Sequence, residues 1–328
     1  MRQIPGLKSA VVATATFLSM AAVLPAAAQE WPVKPIRFIV PYSPGGISDI
    51  AARLVGAKLT EAWGQQVIVD NRTGGNGTIG TAAVVKSPPD GYTYVIATVG
   101  DFTISQHVIK NIPYDPLTDL MPVMSMTDTP CVLAVHAASS YKTLADVLAD
   151  AKKQPGKISY ATPGVGAINQ LLMEWMANVS GTSYSHIPYK GGAPAGAAVA
   201  AGDVPLGLLA VSSAMPHLKS GKVRMIANTA ATRSPIVADV PTMRESGVAD
   251  VDGTNYTLML APKGTPEAII AKMNAEATKI LNMADIKEKL AAGAAVSIPS
   301  TPVELAARLK RESDAFKVIV EKAKITAD

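Results

Sequence analysis

Residues 40–54 read VPYSPGGISDIAARL. The apolar run IRFIV precedes them, and beyond Gly46 the apolar residues of DIAARLVGAKLTEAW recur at three- and four-residue spacing. That order predicts a strand, a tight glycine turn and a helix over 48–63. Gly45 and Gly46 let the backbone come close to a bound group. The first helical turn then offers N–H groups carrying a partial positive charge. Such a place suits an anion.

Working outward, short β-rich runs alternate with helical patterns. QVIVD, YTYVIAT, CVLAVHA, KISYATP, SYSHIPY, VPLGLLAV, VRMIANT and YTLMLAP read as strands. Helical spacing is expected near 78–86, 143–153, 167–179, 193–201, 212–219, 266–281, 284–292 and 302–322. Pro113, Pro116 and Pro122 predict an irregular stretch before CVLAVHA. Strands separated by helices of this length indicate βαβ units. The order strand, Pro-Gly turn, helix occurs twice, at IVPYSPGG and again at SYATPGVG. Two α/β lobes, each aiming a glycine turn into a shared crevice, would produce that repeat.

The first 28 residues stand apart. Arg2 and Lys8 open the chain, Ala10 to Leu24 is apolar, and Ala26-Ala27-Ala28 offers small residues before Gln29-Glu30. This predicts a cleaved signal peptide, since the apolar stretch is short for a bilayer span. Its loss removes two of the charges behind a net +4, and no dense basic cluster with aromatics follows. Nucleic acid is therefore not an expected partner. The single cysteine, Cys131, excludes an internal disulfide and reads as a small buried hydrophobe. The four histidines form no i, i+4 pair, so no metal site is expected. An exported chain of this composition is expected in an extracytoplasmic space, and its single cysteine fits a periplasm without demanding it.

DNRTGGNGTIG contains a literal G-x-G-x-x-G at Gly75, Gly77 and Gly80, with Asp101 downstream where a ribose-binding acid would stand. The gap after Asp70 is too long for the tight turn that motif needs, and the motif follows the second strand rather than the first. The glycines are better read as a turn that lets helix 78–86 pack closely on the sheet, and no cofactor is expected. No G-x-S-x-G, Walker sequence or Ser/His/Asp spacing appears, so an enzyme is not expected.

The stretch WPVKPIRFIVPYSPGGISDIAARL, continuing through DNRTGGNGTIG and PPDGYTYVIAT, resembles the start of the Bug-type periplasmic solute-binding proteins of tripartite tricarboxylate transporters. HIPYKGGAPA, TRSPIVADVPTMRESG and LAPKGTPEAIIAKMN are similar to later motifs of that family, in order. The resemblance implies a two-lobed α/β periplasmic binding protein fold. Each lobe would be a mixed or parallel sheet flanked by helices, with the ligand cleft between lobes. Residues 29–127 and 254–328 would form lobe one, residues 128–253 lobe two, with hinge strands near 128–134 and 250–257. It further implies a monomer that captures a small organic carboxylate and passes it to membrane permease subunits.

The residues themselves support carboxylate binding. Lobe one offers N–H groups at Gly45, Gly46 and Ser48 and hydroxyls at Ser43 and Ser48. Lobe two offers Thr162, Gly164, Val165, Gly166 and Asn169. Tyr42 and Thr98 complete the first-lobe candidates. Two helix N-termini facing one carboxylate would bind it without a buried lysine or arginine. Asp49 reads as a helix-end acid, and Tyr189-Lys190 as a lobe-closing pair or plain packing. The chain departs from the family over Leu208 to Ser212, with Leu209 and Ala210 where acids are common and Ser212 as a further candidate, and at Tyr256, where tryptophan is common. Loss of acids disfavours an amino-acid ligand and favours an aromatic or dicarboxylic acid. A ligand sensor signalling to a membrane receptor would share this site, and an exported α/β enzyme is the rival from another class.

Overall fold

Strand β1 (Ile36–Val40) leads through the first glycine turn into helix α1 (Ile47–Trp63). Next come β2 (Val67–Asn71), α2 (Thr78–Val85), β3 (Thr93–Thr98) and two single-turn helices, α3 (Gly100–Thr103) and α4 (Ser105–Val108). A long strand, β4 (Leu120–His136), precedes α5 (Leu144–Lys153), β5 (Ser159–Thr162) and α6 (Ile168–Ser180). After these lie β6 (Ser185–Pro188), α7 (Gly192–Ala201), β7 (Leu206–Ala210), α8 (Val211–Lys219) and β8 (Val223–Asn228). The chain closes with β9 (Thr254–Pro262), α9 (Glu267–Leu281), α10 (Ala284–Ala292), β10 (Val296–Ser297) and α11 (Pro302–Ala323). This computed structural model describes residues 31–249, 251, 253–323 and 325. The signal peptide expected over residues 1–28 lies outside them.

The strands run in the order β2-β1-β3-β9-β4-β7-β5-β6, with β8 and β10 also on β4. β1 lies between β2 and β3, parallel to both, and β5 lies between β6 and β7, parallel to both. β3, β9, β4 and β7 then join antiparallel, so the sheet is mixed. The repeat seen in the sequence is thus structural: β1 and β5 hold equivalent central places. In such sheets the strand order reverses beside the central strand, and the crevice outside its carboxyl end is where ligands bind. Both glycine turns sit there.

β4 ties the two halves together. From Leu120 to Pro130 it pairs with β9, and from Cys131 to Val135 with β7. The sequence predicts a shorter strand starting at CVLAVHA. The structure extends it back through Pro122, which sits at a register shift, and Pro130, which ends the β9 ladder. Proline lacks the N–H a ladder needs, so it is tolerated at such irregular or terminal positions.

Among the described residues three apolar cores follow. One packs β1 and β3 (Phe38, Tyr94) against α1 and α9 (Val55, Leu59, Met273). Another packs β7 (Leu209) against α7 (Ala195, Val199). The third runs from Phe102 and Ile104 through Leu171, Leu172 and Tyr256 to Leu305 and Leu309 of α11, and so belongs to both halves.

Candidate functional site

The first turn is built by Gly45, whose φ of +89° only glycine adopts readily, and by Gly46, the N-cap of α1. No side chain caps this helix. Asp49 instead reaches back and accepts the Gly45 N–H at 2.9 Å, while Arg53 (2.8 Å) and Asn71 (3.0 Å) hold its carboxylate. Burial pushes Asp49 up, but the hydrogen bonds from Arg53, Gly45 and Asn71 outweigh it and hold the group below the usual carboxylate range. Asp49 therefore serves the turn, and the Gly45 N–H is committed to it. The open donors are the N–H groups of Gly46, Ile47 and Ser48, which as the cap and first turn of an α-helix have no intrahelical acceptor. The Ser48 hydroxyl is buried and has no partner among the described residues, while Ser43 is exposed.

Behind this turn, Tyr42 and Thr98 meet. Their hydroxyls lie 2.8 Å apart, and both donate to Asp101. The Thr98 N–H also donates to Asp101, at 2.9 Å. Burial pushes the Asp101 carboxyl up to about 6, against the pull of the Tyr42 and Thr98 bonds. Burial and the adjacent Asp101 charge push the Tyr42 phenol up as well. The G-x-G-x-x-G glycines find their purpose here. A methyl on Gly77 would stand 2.7 Å from Asp101 Oδ1, and one on Gly80 would stand 2.8 Å from the Arg72 carbonyl and 2.9 Å from Pro41. They are glycine because the turn packs tightly on the strand ends.

The second turn joins β5 to α6. Thr162 Oγ1 lies 2.6 Å from His186 Nε2 and 3.1 Å from the Gly164 carbonyl. His186 stacks on Tyr160 at 5.0 Å, and burial pushes it down to about 4, so the ring is neutral at pH 7. Gly166, at φ +75°, donates its N–H to Gln170 Oε1 at 2.8 Å, and Asn169 donates to Cys131 Sγ at 3.3 Å. Val165 lies half-buried between these glycines. No side chain caps α6 either. Its first turn therefore presents N–H groups at Ile168 and Asn169.

The two turns approach through α3. A methyl on Gly100 would stand 3.5 Å from the Ile168 nitrogen and 3.7 Å from the Gly166 carbonyl. Tyr42, Thr98, the 43–48 turn and the 162–169 turn are thus gathered at the strand ends, with Ser212 in the first turn of α8. Two candidates are directed elsewhere. Leu209 is fully buried in the core under α7. Tyr256 donates to Glu312 at 2.7 Å and lies under Arg308, 3.6 Å from its ring centre, both on α11. Alternation along β7 and β9 decides this, because a one-residue shift of register reverses every side chain. Sequence reading also passed over Gln170 and His186 as supports of the second turn. Only their proximity in the fold assigns them.

A family profile described as the tripartite tricarboxylate transporter family receptor matches residues 51–323. The chain belongs to that family. Its relatives include Protein BugT of Bordetella pertussis, 33% identical over 279 residues, covering 85% of this chain and 86% of that one. Among solved structures, R. palustris Rpa4515 with adipate aligns with a TM-score of 0.85 at 30% identity, covering 90% of this chain and 99% of that one. MatC (Rpa3494) from Rhodopseudomonas palustris with bound malate aligns at 0.81 and 28% identity, covering 88% and 100%. The family's members are solute-binding proteins rather than enzymes, and the fold is their two-lobed α/β fold. No helix among the described residues is long and apolar enough to cross a membrane.

Proposed function

We propose that this protein captures a small organic carboxylate in the periplasm and delivers it to the permease subunits of a tripartite tricarboxylate transporter. One observation carries the reading. α1 and α6 both start at glycine turns without a side-chain cap, and both turns lie at the carboxyl end of a central strand. Uncapped N-termini at such a place bind a carboxylate through main-chain groups. The adipate and malate held by two structural neighbours support the same class.

In this reading residues 29–127 and 254–328 form lobe one and residues 128–253 lobe two. The change of β4 partner at Pro130 and Cys131 supports that boundary. The protein acts as a monomer, since each chain holds both turns. A dicarboxylic acid is placed ahead of an aromatic one, because Leu209 packs in the core and supplies no apolar wall. An amino acid is placed last. Of the acids beside the glycine turns, Asp49 is committed to Arg53, Asn71 and Gly45, and Asp101 to Tyr42 and Thr98, so neither is left for a buried ammonium.

Thermal shift and calorimetry against adipate, malate, glutarate, terephthalate and glutamate test this. A true ligand at 100 times its Kd adds about 2.7 kcal/mol of stability. Glutarate is expected to bind more tightly than glutamate. No stabilisation by any carboxylate would overturn the reading. Loss of uptake in cells lacking the permease subunits, with binding intact, separates delivery from sensing.

A further inference from the structure

Asp101 is a buried acid that forms no ion pair among the described residues. Its Oδ2 accepts from the Tyr42 hydroxyl, the Thr98 hydroxyl at 3.0 Å and the Thr98 N–H at 2.9 Å. Its Oδ1 lies against Gly77, the glycine without room for a side chain. From the neighbouring elements, Tyr42 is the titratable group in contact, and the Tyr114 phenol is raised in part by the Asp101 charge. His107 of α4 turns to Ser313, and Arg308 and Glu312 of α11 turn to Tyr256 and each other. No cation stands among the groups that shift its carboxyl.

The oxygens of Tyr42, Thr98 and Asp101 form a triangle with all three sides at hydrogen-bonding distance. When Asp101 is ionised, two hydroxyl protons serve three contacts, and the Tyr42–Thr98 contact has none of its own. A third proton, on Oδ2, gives each contact one. The neutral acid therefore fits this ring without loss of a bond. Gly100, the residue before Asp101, packs on the start of α6, and Tyr42, which donates to Asp101, directly precedes the first glycine turn.

We propose that Asp101 is a positioning residue for Tyr42 and Thr98 that takes up a proton when an anion is captured between the glycine turns. The ligand in this statement rests on the carboxylate reading; the proton on Asp101 does not. The bound carboxylate raises the free energy of a second, nearby negative charge, and solvent supplies the proton that neutralises it. One O–H bond forms on Asp101 and none breaks in the ligand. Burial already holds the carboxyl near 6, so uptake falls around neutrality.

The test is calorimetry of the full mature chain with adipate and malate, from pH 6 to 8, in buffers of differing ionisation enthalpy. The wild type is expected to take up a fraction of a proton per ligand, with affinity falling as pH rises by at most about tenfold per unit. Asp101→Asn should bind without buffer dependence and with a flat pH profile. Tyr42→Phe removes a bond that favours the ionised acid, and should move the proton-uptake window to higher pH. A ligand-free measurement stands beside these. An acid raised in the fold loses stability as pH climbs from the unfolded pKa near 3.9 to its folded one. The stability of Asp101→Asn relative to wild type should accordingly grow between pH 4 and about 6, then level. Buffer-independent binding by the wild type, proton uptake retained in Asp101→Asn, or no such stability difference would each overturn the proposal. If no acid binds, the carboxylate reading falls, and the ligand-free titration still decides the proton.

Discussion

Gly45 and Gly46 are neighbours with different constraints. At Gly45 the φ of +89° penalises any L side chain, so Gly45→Ala should lose about 1–2 kcal/mol. At Gly46 the backbone is extended, with φ −77° and ψ 166°, and a methyl would meet only the Ser43 carbonyl at 3.9 Å. Gly46→Val should stay folded, within about 1 kcal/mol of wild type, and lose carboxylate binding because its bulk covers the α1 N-terminus. Denaturant melts and calorimetry on both variants check this; full affinity in folded Gly46→Val would place the ligand elsewhere. This turn was readable from sequence because Pro-Gly-Gly before an amphipathic run has few other solutions. Asp49 was readable as a helix-end acid, and the structure adds its partner Arg53, one helical turn away. Asp101 was not. Tyr42, far away in the chain, and Gly77 define its role, and in sequence it fitted only a dinucleotide motif.

Elements were legible where their signals are local. α5 begins with Thr143 accepting the Asp146 N–H while Asp146 accepts the Thr143 N–H, a reciprocal cap written in T-x-x-D. Thr143→Ala should lower stability by about 1 kcal/mol and leave ligand affinity unchanged, since the cap lies away from both glycine turns. An altered affinity would mean that α5 reaches the site. The Asp146 carboxyl is held below its ordinary range by the N–H groups of Lys142 and Thr143 and by the Thr143 side chain, which the substitution removes. A depressed acid loses its contribution as pH falls through the folded pKa, so the Thr143→Ala deficit should shrink in acid. Elsewhere, local signals misled. Pro122 argued against a strand, yet the 17-residue β4 carries it, and Pro130 as well, because long-range pairing with β9 and β7 outweighs it. The short helices α3 and α4 were also unforeseen. Single turns bury too few side chains to leave a period.

At the scale of the molecule, the two-lobed plan was visible as a repeated strand, Pro-Gly turn and helix. The way the halves are fastened was not. α11 reads in sequence as one more amphipathic helix, but its stripe of Leu305, Leu309, Phe316 and Val320 lies in the same core as Phe102 of α3 and Leu171 of α6. Ser313 on that stripe receives Gln106 Nε2 at 2.6 Å, and Glu312 receives Tyr256. A helix shared in this way should make the halves unfold together. The three tryptophans can report on each half separately. Trp31 and Trp63 pack edge to face in the first half, 5.1 Å apart, and Trp175 lies on α6 in the second. Trp175→Phe therefore leaves only first-half reporters, and the double change of Trp31 and Trp63 to Phe leaves only the second. In that pair of backgrounds the denaturant midpoints should coincide. Leu309→Ala, which opens a cavity at a residue 3% exposed, should lower both by the same about 2–5 kcal/mol. Separate midpoints, or a loss confined to one reporter, would show that α11 stabilises one half alone and that the fastening lies in β4 and β9.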